Sequence, residues 1–145
     1  MSPRPQVHAP TDDVLGELDA VAIAERIAAR DISAADAVEA AIARLAVVEP
    51  VLNAVAVTRY DQARKEAERL STEDAGGLLA GVPSAIKDNV DLAGLPTRYG
   101  SRATPERRYG ADSPITAQFR STGLMAIVKT ALPEFGLTAT TERSW

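Results

Sequence analysis

Two short apolar runs, each ending in a lysine, constrain this chain more than any other feature. Leu79-Ala80-Gly81-Val82-Pro83-Ser84-Ala85-Ile86 leads straight into Lys87-Asp88-Asn89, and Leu124 to Val128 leads into Lys129-Thr130. Runs of this length, punctuated by glycine and proline, read as short buried strands. Between them, Ser113 at a cap and Pro114 at the first helical position open a helix to about Thr122, which Gly123 ends. Helix and strand alternating in this way predict an α/β fold. Aromatic residues make up only 4% of the 145 residues, so the core must be built from Ala, Val, Leu and Ile.

Residues 1–13 hold three prolines and few apolar side chains, and read as a disordered or loosely docked tail. The remainder, 14–145, reads as one structural unit. Asp19 can cap a helix to about Arg30, with Ala22, Ile23, Ile27 and Ala28 on its buried side. Ser33 and Asp36 have the spacing of a capping box. The helix they open carries Val38, Ala41, Ile42, Leu45 and Val48 as a stripe facing a core, and Pro50 is expected to stop it. Ala54 to Val57 reads as a short strand. Tyr60 to Leu70 is charged on most sides, which predicts an exposed helix with ion pairs. Ser71 to Gly77 is a polar loop, and residues 91–111 carry enough Gly and Pro to be irregular throughout.

Composition removes several chemistries. There is no cysteine, and the one histidine, His8, lies in the tail. Thiolate nucleophiles, Cys-based metal sites and a Ser-His-Asp triad therefore have nothing to work with. A net charge of −4 and a pI near 5.0 argue against direct nucleic-acid or anionic-membrane partners. No apolar run approaches the ~20 residues of a membrane span. The expectation is a cytoplasmic protein with no cofactor and no metal.

Lys87 is the candidate catalytic residue. A lysine ending an apolar strand can be partly desolvated, and desolvation moves an amine toward the range where it acts as a base. The alternative is a surface lysine snorkelling at a strand end. A phosphate loop does not fit, because Ile86 precedes Lys87 and Asp88 follows it. Asp88 and Asn89 read as turn residues, with Asp88 also able to hold a charged lysine. Lys129 repeats the strand-then-lysine arrangement, either structurally or near the same cleft. Glu134 and Glu142 are isolated carboxylates, so a paired acid/base site is not supported.

The segment Gly81 to Asn89, GVPSAIKDN, resembles the Gly-x-Pro-x-x-x-Lys-Asp-x segment of the amidase signature family. Other stretches resemble that family in its order: DISAADAVEAAIARL with EPVLNAV, DLAGLPTRYGS, and STGLMAIVKTALPEFGLTATTE, together spanning roughly residues 18–142. Within the family, PEFGLTATTE resembles 6-aminohexanoate-cyclic-dimer hydrolase-like amidases, which act on cyclic or linear nylon-type oligoamides. The resemblance implies N-terminal helices packed on part of a mixed, mainly parallel sheet. It also implies hydrolysis of small-molecule amides by a Ser–Ser–Lys triad, in which a second serine passes the nucleophile's proton to a neutral lysine. Lys87 matches that lysine. The family's Gly-Gly-Ser-Ser-Gly-Gly segment has no counterpart here: Ser101, Ser113, Ser121 and Ser144 lack its glycine context, and Ser113 reads as a helix cap. Val128 and Ala131 replace the Gly and Asn usual beside the second lysine. The chain is thus expected to be the N-terminal portion of an amidase, holding the base without the nucleophile and inactive alone. Two other readings are a truncated, non-catalytic fragment or pseudoenzyme, and a glutamine-dependent protein like the A-subunit of an amidotransferase, working with partner subunits. A homodimer is compatible with all three. A chain cut from a larger sheet is expected to be marginally stable in isolation.

Overall fold

The computed structural model describes residues 6–70 and 76–141. These form α1 (Ala20–Ala28), α2 (Ala34–Leu52), β1 (Val55–Thr58), α3 (Tyr60–Leu70), β2 (Pro83–Lys87), α4 (Pro114–Ser121), β3 (Met125–Thr130) and a 3-10 turn at Glu134–Gly136. The strands make one mixed sheet in the order β1-β3-β2, with β3 antiparallel to β1 and parallel to β2. This is the α/β class that the alternation of patterns implied.

The helix starts lie where short polar side chains can accept a free backbone N–H. The Asp19 carboxylate accepts from Ala22 N–H at 2.8 Å, and the Ser33 hydroxyl oxygen accepts from Asp36 N–H at 2.9 Å. The return half of a capping box is not made. Asp36, a carbon shorter than Glu, instead accepts from the Ser33 hydroxyl at 2.7 Å. At its other end α1 stops at Ala28, short of Arg30, which turns left-handed at φ 61°. Ile23 and Ala24 form its buried side, whereas Ala28 is exposed.

Pro50 does not stop α2, which continues to Leu52. In the last turn a proline forfeits one N–H bond, and the end is secured in other ways. Asn53 adopts the left-handed conformation and donates its N–H to Glu49 O at 2.8 Å. The Glu49 carboxylate then accepts from Ala54 N–H at 2.9 Å and Val55 N–H at 3.0 Å, steering the chain into β1.

The largest core cluster joins Ala34, Val38 and Ile42 of α2, Ala63 and Ala67 of α3, and Met125, Ile127 and Val128 of β3. Ala63 and Ala67 are fully buried, so α3 is exposed on only part of its surface. Two small side chains four residues apart bring this otherwise charged helix close to the sheet. Its polar face is paired: Arg64 with Glu39 of α2, and Glu66 with both Arg59 and Arg120. A second cluster of Leu15, Ile23, Ala24, Ala37 and Val82 seats α1. A third, of Ile86, Leu92, Leu95 and Ala126, brings the loop after β2 onto the sheet.

At the N-terminus, Asp13 is held by Arg44, whose Nε lies 2.7 Å from Oδ2 and whose Nη2 lies 2.6 Å from Oδ1. Residues 1–5 of the expected tail and 71–75 of the expected polar loop lie outside the described residues. Among those described, no helix is long and apolar enough to cross a membrane.

This packing can be tested at two points. Gly123 has φ 89°, and a Cβ built on it would sit 2.6 Å from Ala80 Cα and 2.8 Å from Ala80 N. Gly123→Ala is therefore expected to destabilise the fold by about 1–3 kcal/mol in equilibrium unfolding, since neither backbone can give way cheaply. The Arg44 hydrogen bonds hold the Asp13 carboxyl at about 2, below its ordinary 3.8. A carboxyl depressed by folding contributes stability that is complete above its unfolded value and lost as pH falls through the folded one. Asp13→Asn is expected to lower the melting temperature at pH 7, with the gap to the parent closing between about pH 4 and pH 2.

Candidate active site

Lys87 is the last residue of β2 and lies opposite Thr130 in the parallel ladder. The β2 strand pairs with β3 on one side and is an edge on the other among the described residues. Alternation buries Ile86 and turns Ala85 and Lys87 outward. Lys87 is consequently exposed, the surface-lysine environment of the two its sequence context left open, because nothing among the described residues covers its face. It borders an open depression of about 280 Å³ lined mainly by Ala85, Val90, Ile115 and Phe119. A larger depression of about 760 Å³ lies against β1 at the opposite sheet edge, and Lys87 does not line it.

The second strand-end lysine has the reverse environment. Lys129 is fully buried, the largest side chain in the described structure to be so enclosed. Its Nζ donates to Pro96 O and to Thr97 Oγ1, each at 2.7 Å, and lies 2.7 Å from Asp88 Oδ1. The Asp88 contact is an ion pair off the hydrogen-bonding direction. An ammonium has three N–H donors and no lone pair, so three oxygens around it leave nothing for base chemistry. The two lysines that look alike in sequence are therefore chemically distinct.

A register irregularity directs Lys129 to this chamber. Between Ser84 and Ala85 the pairing with β3 jumps from Ala126 to Val128. Ile127 and Val128 both join the helix-side cluster, and Lys129 falls on the side of Ala126 and the loop. Strict alternation from Met125 would have sent Lys129 toward α2 and α3; the bulge re-aims it.

The loop that receives Lys129 is irregular, as its composition implied, yet tied throughout. Leu92 and Leu95 anchor it. Asp112 accepts from Ala93 N–H at 2.8 Å, and Gly94 N–H donates to Tyr109 O at 2.8 Å. Further along, Tyr99, Gly100, Phe135 and Gly136 all have positive φ. Phe135 N–H donates to Tyr99 O at 2.8 Å. A Cβ on Gly100 would lie 2.4 Å from Leu132 O, which is why glycine occupies that position. Buried Ser101 donates to Glu134 Oε1 at 2.5 Å, so Glu134 is not the isolated carboxylate its sequence context suggested. A 33-residue separation hid that pair from local pattern reading.

The described serines after Lys87 are committed elsewhere. Ser101 also accepts from Ala103 N–H, Ser113 caps α4 as expected, and Ser121 donates to Gln118 O at 2.7 Å. Ser144 and Glu142 lie outside the described residues, and His8 is exposed near the N-terminus. No group of three or more metal-ligating side chains occurs among the described residues.

Comparison with known proteins identifies the family. The Amidase family model matches residues 36–145. The protein named amidase AmiC in Mycobacterium tuberculosis is 47% identical over 137 residues, covering 94% of this chain and 28% of that protein. The A-subunit of the glutamyl-tRNA(Gln) amidotransferase of Carboxydothermus hydrogenoformans is 36% identical over 88% of this chain and 27% of its own length. Among solved structures, 6-aminohexanoate cyclic dimer hydrolase superposes with a TM-score of 0.75 at 33% identity, covering 88% of this chain and 26% of that one. The native peptide amidase from Stenotrophomonas maltophilia gives a TM-score of 0.76 at 29% identity, over 84% of this chain and 26% of that one. The chain thus spans little more than a quarter of the length of these relatives. On this combination of sequence and structural likeness, the chain belongs to the amidase family.

Proposed function

We propose that this chain is the base-carrying, N-terminal portion of an amide hydrolase, with Lys87 as the general base that takes the nucleophile's proton through an intermediary serine. The observation that carries the reading is the division of labour between the lysines. Lys129 is closed on three oxygens, whereas the Lys87 side chain takes no partner among the described residues and borders an open, largely apolar depression. A lysine works as a base only when neutral, and an apolar cover over Ala85, Ile115 and Phe119 would remove the water that favours its charged form. The exposed apolar side chain of Ile115, at 62%, in the lining of that depression is consistent with such a cover supplied by further chain. The serines fit this too, since none of those described after Lys87 is placed as a nucleophile. Residues 14–145 would then be one part of a larger amidase domain in a cytoplasmic protein, acting on linear or cyclic carboxylic amides and able to assemble as a homodimer.

A second reading follows from the amidotransferase relatives: the same lysine would serve glutamine hydrolysis within a multi-subunit assembly. Glutaminase activity that appears only with added partner subunits would favour it.

The test compares the full-length gene product, its Lys87→Ala variant and residues 1–145 alone. The substrates are a panel of aliphatic carboxamides and 6-aminohexanoate oligomers, and released ammonia or amine is measured. Lys87→Ala is expected to reduce kcat by about 10²- to 10⁴-fold at unchanged fold. Residues 1–145 alone are expected to show no turnover and to aggregate. Turnover by the 145-residue chain, or wild-type turnover by Lys87→Ala, would overturn the reading.

A further inference from the structure

Lys129 takes no part in the chemistry above, and its enclosure needs a reason. Burying an ion pair rarely raises stability over an apolar replacement of the same size, because both charges lose their water. Here the charge is used to bind one particular neighbour. Asp88, next in chain to Lys87, is 2% exposed at its side chain and meets Lys129 Nζ through Oδ1. Its Oδ2 accepts from Arg98 N–H at 3.2 Å. Its backbone N–H donates to Thr130 O at 3.0 Å, and its carbonyl accepts from Tyr99 N–H at 3.1 Å. Lys129 also grips the far side of the loop at Pro96 O and Thr97, whose hydroxyl contacts Val90 O at 3.4 Å. The residue after Lys87 is thus fixed through both its side chain and its backbone, and Lys129 is the charge that holds the side chain.

We propose that Lys129 is a positioning residue for Lys87. Its buried ammonium pins the Asp88 carboxylate on one side of the chain, and this sets the direction in which Lys87 leaves the strand end on the other. The inference rests on the reading of Lys87 as the base. It goes beyond that reading by assigning the second lysine a role in turnover, where local pattern alone suggested a structural one. A residue that only held the loop would affect folding. One that aims Lys87 affects the rate of the chemical step in protein that has folded, because a displacement of about 1 Å in a catalytic group can cost a hundredfold.

The experiment uses the full-length gene product and the best-turned-over amide of the panel above. Melting temperature, kcat and KM are measured for Lys129→Met, Asp88→Asn, the double variant, Thr97→Val and Lys87→Ala. Lys129→Met and Asp88→Asn are each expected to lower kcat by about tenfold to a hundredfold, with KM within about twofold. The double variant is expected to lose less than the product of the two singles, because both break one contact. Thr97→Val keeps the shape of the site and removes one of the Lys129 acceptors. It is expected to lower kcat several-fold, and it carries the test should Lys129→Met fail to fold. Folded Lys129→Met or Thr97→Val with kcat within twofold of the parent, alongside a Lys87→Ala variant that is inactive, would overturn the positioning role and leave the base assignment standing. Full activity in Lys87→Ala would overturn both.

Discussion

The buried ammonium of Lys129 is the contact on which the site end of this molecule depends. It joins the central strand β3, the residue beyond the end of β2 and the loop that crosses the sheet, and no apolar side chain could bind three oxygens at once. The cost of desolvating a charge makes such a site intolerant of disorder: once the lysine is enclosed, its partners must stay in place. The loop 88–101, which contains no helix or strand, is held to the sheet by the Lys129 ammonium and by its own buried Leu92 and Leu95.

The remainder of the fold supplies the rigid side of this arrangement. Cover from α2 and α3 on β3 comes through Val38, Ile42, Ala63 and Ala67, small and branched side chains that suit a protein with few aromatics. Charge pairs then join what the core does not. Arg59, itself buried, donates to Ala126 O and to Glu66, and Glu66 also accepts from Arg120 of α4. Arg120 reaches Asp112, which in turn holds the loop at Ala93. Helix α3, helix α4 and the loop after β2 are therefore linked in a single polar chain. Burial and a neighbouring guanidinium act in opposite directions on its carboxyls, and the net effect holds Glu66 and Asp112 below their ordinary values.

Much of this was legible in residue order. Asp19, Ser33 and Ser113 cap helices as their chemistry predicts, Tyr60 to Leu70 is a helix over those residues, and both apolar runs contain strands. GVPSAIKDN and three further stretches, in the family's order, were together enough to indicate the amidase family. The misreadings share a cause, which is contact beyond the reach of a local pattern. Pro50 stays helical because Glu49 and Asn53 organise the exit beyond it. Glu134 is paired because Ser101 returns from 33 residues earlier. The exposure of Lys87, one of the two environments its sequence context allowed, follows from what flanks β2 among the described residues.

Local chemistry settled the element types, the caps and the presence of two lysines at strand ends, because each depends on neighbours a few residues away. Which lysine would be sealed and which left open was a tertiary decision. A register jump at Ile127 and Val128 turned Lys129 into the loop, and the edge position of β2 among the described residues left Lys87 uncovered by them. Both outcomes come from how strands align side by side, and a one-residue shift in that alignment sends every later side chain to the other face.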